Sequence, residues 1–209
     1  MSLGGSVDLL IPDMARRARA ASRQLATTSG EQRRVALHAM ADALAAAADE
    51  IVAANALDLA AADATAIGAA MRDRLVLDHP GVKKLTAAVR EIAEQPDPLG
   101  EVTDALVRPN GLRVSRVRIP LGVVAMIYES RPNVTADAAA LCLKAGNASV
   151  LRGGKEALHS NRAIADALRV GLGTTAVPPD AIQLIPIADR AAVDVLLEQD
   201  QYIDLVIPR

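Results

Sequence analysis

Up to about residue 100 the apolar positions of this chain recur at helical spacing; beyond it they alternate, and then come in short unbroken runs. Over residues 7–26, Leu10, Met14, Ala18, Ala21 and Leu25 fall three or four apart among four arginines, the pattern of an amphipathic surface helix. Ser29-Gly30-Glu31-Gln32 predicts a capping box, with Ser29 as N-cap and Gln32 three residues on. The helix it opens carries an apolar stripe of Val35, Leu37, Met40, Ala43, Leu44 and Ala47, and alanine-rich sequence continues to about Ala66 with a break expected near Asn55. Residues 71–77 predict a short helical turn broken by His79-Pro80-Gly81, and residues 82–93 a further helix stopped by Pro96 and Pro98. This stretch reads as packing without chemistry, and His38 within it as a satisfied side chain rather than a ligand.

At Glu101 the period changes. Residues 102–108 and 112–118 predict two strands around Pro109-Asn110-Gly111, and Asn-Gly is the strongest short hairpin signal because both residues tolerate positive φ. A lone hairpin is marginal in water, so it is expected to dock on another sheet or another subunit; we take it as an oligomerisation arm with its arginines on a solvated face. From residue 121 strands and helices alternate: strand 123–127, helix 135–144 closed by Gly146, strand 149–151, helix 157–172, strand 182–185, helix 191–197 and strand 205–207. Continuous apolar strands alternating with helices predict a parallel sheet covered on both faces. Ligands of such sheets bind beyond the carboxyl ends of the strands, here loops 128–133, 152–156, 186–190 and 208–209. Three parts result: helical residues 1–101, the hairpin 102–118 and an α/β core 119–209.

With 51% apolar and 23% charged residues the chain can bury a sizeable core, yet it has no Phe, no Trp and two Tyr. Leu, Val, Ile and Ala must fill that core, which favours close helix–helix and helix–sheet contacts. A formal charge of −2 leaves no electrostatic footprint for nucleic acid or an anionic membrane. No apolar run reaches the roughly 18 residues of a membrane span, no secretory signal is visible, and a cytoplasmic location is expected. The opening MSLGG reads in part as an expression remnant. The single cysteine, Cys142, excludes an internal disulfide and any multi-cysteine metal site, and within AALCLKAG it reads as a small buried hydrophobe. His38, His79 and His159 share no spacing, so no metal is expected.

Two loops remain. Neither G-x-G-x-x-G nor G-x-x-x-x-G-K-[ST] occurs, but Arg152-Gly153-Gly154-Lys155-Glu156 follows a strand and precedes a helix. Its glycines let a ligand approach the backbone, its two cations can meet phosphate, and Glu156 can accept from ribose hydroxyls; an ordinary turn with surface charges is the plain alternative. In Glu129-Ser130-Arg131-Pro132-Asn133, Arg131 could meet an anion and the Asn133 amide a developing oxyanion. The plain alternative there is a helix capped by Asn133 or Thr135, worth about 1 kcal/mol.

PLGVVAMIYESRPNVTADAAALCLKAGNASVLRGGKEALHSN and the closing YIDLVIPR resemble the γ-glutamyl phosphate reductase family, within the aldehyde dehydrogenase superfamily. The resemblance implies an aldehyde-dehydrogenase-like α/β fold with a Rossmann-type parallel sheet. It also implies NADPH-dependent reduction of L-glutamyl 5-phosphate to L-glutamate 5-semialdehyde with release of phosphate, in proline biosynthesis. In that family a cysteine thiolate attacks the acyl phosphate. By position, Asn133 corresponds to the oxyanion-stabilising amide and Arg152 to the basic residue at the adenosine ribose and its phosphate. Gly153, Gly154, Lys155 and Glu156 complete that cofactor turn, and Pro208 and Arg209 lie on the cofactor side. Ser130 and Arg131 are expected at substrate anions. Arg152 and Lys155 together are expected to favour NADP(H) over NAD. The implied partners are a second copy through the 102–118 hairpin and glutamate 5-kinase. Cys142 does not match the family's nucleophile, which lies in a catalytic domain beyond Arg209; the chain is therefore expected to be the cofactor-binding half, inactive alone. Two other readings stand beside this one. Another aldehyde dehydrogenase is disfavoured by the ESRPN loop and the lack of P-W-N, and a non-catalytic nucleotide- or partner-binding module is kept open by the missing nucleophile.

Overall fold

The computed structural model describes residues 4–209, with side chains from residue 7; the expectation for the opening MSLGG lies outside the described residues apart from Gly4 and Gly5. Helix α1 (Gly4–Leu25) buries Ile11, Met14, Ala18, Ala21 and Leu25. Helix α2 (Gly30–Ala46) opens on the expected capping box, in which Ser29 Oγ accepts from Gln32 N (3.1 Å) and Gln32 Oε1 from Ser29 N (2.8 Å). Its buried stripe differs from the expected one. Val35 is 47% exposed, while Arg33 is buried because it donates to both Asp97 carboxylate oxygens (2.8 and 2.7 Å) and to Thr28 O (2.6 Å).

Helix α3 (Ala48–Ala64) runs unbroken through Asn55, and the break falls at Ala47 instead. The Asn55 side chain finds partners on other elements, so it has no need to compete with its own backbone. Helix α4 (Ala69–Leu75) leads to α5 (His79–Glu94), whose first turn is the His79-Pro80-Gly81 expected to be a breaker. Asp78 caps Gly81 N at 2.8 Å, and proline is tolerated there because first-turn N–H groups lack helical partners.

Strands β1 (Val102–Val107) and β2 (Arg113–Val117) form an antiparallel hairpin exposed at every position and paired with no other described strand. The second sheet is parallel, in the order β5 (Ile182–Leu184), β4 (Ala148–Arg152), β3 (Val123–Ile127), β6 (Leu205–Pro208). Helices α1 and α8 (Ala191–Leu197) pack together on one side of the sheet; α6 (Asn133–Lys144) and α7 (Leu158–Leu172) also line it, with α2 and α5 packed behind them. Helices α1, α2, α3 and α5 share one apolar core with the sheet, and Leu75 of α4 packs with Ala62 and Ala157 in a second, smaller cluster. Gly146 follows α6 at φ +73°, where a Cβ would also lie 2.7 Å from Leu99 Cδ1. The small-residue core has its consequence at Gly171, whose missing Cβ lets α7 lie against the Ala39 backbone of α2.

Candidate active site

Register puts the strand ends side by side, since Ile127 is opposite both Arg152 of β4 and Pro208 of β6. The chain continues the pattern one residue further, with Tyr128 N donating to Arg152 O (3.0 Å) and Arg209 N to Ile127 O (2.8 Å). The loops after β3 and β4 therefore leave the sheet together. With Arg209 they surround a cleft of about 390 Å³ whose walls include Arg74, Glu129, Ser130, Arg152, Gly154 and Glu156.

Within this cleft the Ser130 hydroxyl donates to Glu156 Oε2, joining the two loops. Gly154 is required by the same contact, because a Cβ there would land on the Ser130 hydroxyl. Arg152 is partly buried; its Nη2 donates to Ala188 O (3.3 Å) in the loop after β5, and its Nε is buried without a protein partner. Lys155 is exposed. Glu129 faces Arg74 at 3.7 Å. Arg131 is exposed on a smaller recess of about 220 Å³ shared with Glu129 and Arg209.

Asn133 is exposed in the first turn of α6, with Nδ2 donating to Asp137 Oδ2 (3.1 Å). Neither Asn133 nor Thr135 is the cap; Pro132 holds that position and forms no side-chain cap. Asn133 and Asp137 line a separate cleft of about 330 Å³ with Arg74 and Lys84. Burial pushes the Asp137 carboxyl above its ordinary value, an effect tempered by the Asn133 amide and by Arg209.

A buried relay that the sequence did not disclose ties these parts together. The Thr135 hydroxyl donates to Asn161 Oδ1 (2.9 Å) and so accepts from the Tyr128 hydroxyl (2.7 Å). Burial raises the Tyr128 phenol far above its usual pKa, so it stays a neutral donor. The available signal was compositional: Tyr128 is one of only two aromatic residues and stands at a strand end. Cys142 is half-buried rather than fully buried, and burial pushes its thiol up to about 11. His38 Nε2 lies 2.7 Å from Glu94 Oε1, as a satisfied side chain. Among the described residues no group of three His, Cys, Asp or Glu could hold a metal ion.

A parallel sheet with loops gathered over its carboxyl ends defines an α/β protein of the kind that holds ligands beyond its strand ends. Within that class the chain belongs to the aldehyde dehydrogenase family, whose model matches residues 10–207. It is 50% identical over 200 residues to a γ-glutamyl phosphate reductase of Desulforapulum autotrophicum, covering 96% of this chain and 48% of the relative. The crystal structure of the γ-glutamyl phosphate reductase of Thermotoga maritima superposes with a TM-score of 0.92 at 37% identity, over 95% of this chain and 48% of that one. The Saccharomyces cerevisiae enzyme of the same name gives 0.87 at 38% identity, over 94% and 50%. The chain spans about half the length of the curated relatives it matches.

Proposed function

We propose that this chain supplies the cofactor-binding half of an NADPH-dependent γ-glutamyl phosphate reductase. The whole enzyme reduces L-glutamyl 5-phosphate to L-glutamate 5-semialdehyde with release of phosphate, a step of proline biosynthesis in the cytoplasm. The observation that carries this reading is the meeting of the loops after β3 and β4 with Arg209 over one cleft, in a chain 50% identical to a relative of that name.

The residues present suit a dinucleotide. Arg74, Arg152 and Arg209 offer cations and Glu156 an acceptor, while the unpartnered Arg152 Nε leaves that guanidinium with donor capacity to spare. In this reading Arg152 and Lys155 hold the ribose phosphate, Gly153 and Gly154 leave the backbone open to the ligand, and Glu156 accepts from ribose hydroxyls. Pro208 and Arg209 form the cofactor side of the β6 end. NADPH, when bound, supplies the hydride. Asn133 donates its amide to the oxyanion that develops on the acyl carbon, where a preorganised donor at a helix start is most effective. Glu156 engages Ser130, which leaves Arg131 as that loop's free-standing cation for a substrate anion.

Assembly is assigned to the 102–118 hairpin, where Val107 (65% exposed) and Leu112 (58%) offer apolar surface to a second copy. Glutamate 5-kinase is the further partner. The cofactor assignment is tested by titrating NADPH and NADH into the protein and into an Arg152→Ala/Lys155→Ala variant, followed by nucleotide fluorescence. The variant should lose roughly 10- to 100-fold in NADPH affinity and little for NADH, the weight of one or two charge-assisted hydrogen bonds. An unchanged preference refutes the assignment.

A further inference from the structure

We propose that the cleft between α5 and the first turns of α6 seats the amino-acid end of the substrate, with Asp137 recognising an α-ammonium and Lys84 the adjoining α-carboxylate. This deepens the function proposed above and rests on it. It commits the site to an α-amino acid activated at its distal carboxyl.

The two walls of the cleft carry opposite charge. On the α6 wall the half-buried Asp137 takes one hydrogen bond, from Asn133, and has no ion pair among the described residues. A carboxylate withdrawn from water in this way gains most from a cation that arrives with the ligand. On the α5 wall Lys84 is exposed and likewise has no ion pair among the described residues. Leu85 and Ala88 beside it supply apolar surface for a methylene chain. A ligand with one charge can meet only one wall, whereas a zwitterion can meet both.

Length agrees with charge. Asn133 Nδ2 and Asp137 Oδ2 lie 3.1 Å apart, so ligand atoms standing one hydrogen bond beyond each can be about 5 Å from one another. Four bonds separate the ammonium nitrogen of a glutamyl group from its acyl carbon, about 5 Å when extended. An ammonium at Asp137 thus brings the acyl carbon to Asn133, the residue assigned to the oxyanion. Arg74 borders both this cleft and the one holding Arg152 and Glu156, so the two clefts adjoin. The order along the site is amino-acid head, acyl carbon, cofactor.

The test uses the full-length enzyme and the reverse reaction, phosphate-dependent oxidation of an aldehyde with NADP+. Three aldehydes are compared: L-glutamate 5-semialdehyde, the analogue without the ammonium (5-oxopentanoate) and the analogue without the carboxylate (4-aminobutanal). Asp137→Asn, which keeps the side-chain shape, should shrink the preference in kcat/KM for the semialdehyde over 5-oxopentanoate by about 10- to 100-fold. Lys84→Met should shrink the preference over 4-aminobutanal by a similar factor, and this surface substitution decides the matter if Asp137→Asn does not fold. The ratio is the readout because any disturbance of Asn133 lowers both substrates alike. Preferences unchanged in the variants, or kcat/KM falling equally for all three aldehydes, overturn this inference and leave the function standing. A wild-type enzyme that oxidises none of the three overturns both.

Discussion

Asp58 is the residue whose removal most sharply tests how the turn at residues 152–157 is held. Helix α7 begins directly after residues 152–157 without a side-chain cap of its own, so its first N–H groups need acceptors from elsewhere. Asp58 delivers them from α3. It is 2% exposed and accepts from His159 N (3.1 Å), Ser160 N (2.8 Å) and the Ser160 hydroxyl (2.6 Å). The Ser160 oxygen in turn accepts from Asn55 Nδ2 (3.0 Å), which also donates to Leu75 O (2.7 Å), while Asn55 Oδ1 accepts from Leu77 N (2.9 Å). Asp58→Ala leaves the Ser160 amide and hydroxyl buried without this acceptor, at about 1–3 kcal/mol each. Loss of a carboxylate at a helix start adds up to about 1 kcal/mol. The expected destabilisation is about 2–7 kcal/mol, a large share of the 5–15 kcal/mol typical of a domain. Asp58→Asn keeps the shape and one acceptor oxygen and should cost about 1–2 kcal/mol. In Ser160→Ala the hydroxyl that Asp58→Ala would orphan is gone, so the double variant should cost less than the two singles together by at least about 0.5 kcal/mol. Urea titration measures the parent and the four variants, the midpoint shifting while the slope holds. An Asp58→Ala protein within about 0.5 kcal/mol of the parent, or strict additivity with Ser160→Ala, refutes the reasoning.

Cys142 should be inert: with its thiol pushed up to about 11, labelling by iodoacetamide at pH 7.5 should run on the order of 100-fold slower in the folded chain than in the unfolded one. These 209 residues, having no other thiol, should by themselves form no glutamate 5-semialdehyde; rapid labelling or measurable aldehyde would contradict this. Asp204 accepts from Val123 N (2.7 Å) and faces Arg19 Nη1 (2.7 Å); burial works against its charge, but Arg19 and the amide prevail and hold its carboxyl below the usual range. A depressed folded pKa means that its contribution is complete above the unfolded value near 3.9 and disappears as pH falls through the folded value. The stability gap between the parent and Asp204→Asn should therefore be level from pH 5 to 8 and close below about pH 4. A gap undiminished at pH 2.5 would sink this assignment.

What the sequence disclosed was whatever depends on chain neighbours. The Ser29–Gln32 box and the Gly146 terminus are readable because a cap or a positive φ is decided within a few residues. Strand β3 is readable because burial leaves it an unbroken apolar run, and β6 shows such a run although three of its four residues are exposed. Asn55 shows the converse: its local signal favours a break, and the partners that overrule it lie at Leu75, Leu77 and Ser160. Arg33 is buried without any apolar signal in the sequence because Asp97, 64 residues away, makes burying a guanidinium acceptable. The site followed the same division. Both decorated loops and their residues were visible, whereas the Ser130–Glu156 bond between them and the facing of Asp137 and Lys84 across a cleft needed the fold.

That joining of loops changes what each can do alone. Three ties bind the loop after β3 to the turn after β4: the Ser130–Glu156 bond, the Tyr128 amide on Arg152 O, and the Tyr128–Thr135–Asn161 relay. Asn161 lies in α7, whose start Asp58 fixes from α3, and Thr135 lies in the first turn of α6, two residues beyond Asn133. Displacing the 152–156 turn therefore strains hydrogen bonds that also set the first turn of α6. Because the Tyr128 and Thr135 hydroxyls are buried and fully engaged, neither can exchange its partner for water without the full cost of a lost buried hydrogen bond. The 152–156 turn and the first turn of α6, which carries Asn133, are thus tied to one another through hydrogen bonds of the folded chain rather than placed independently.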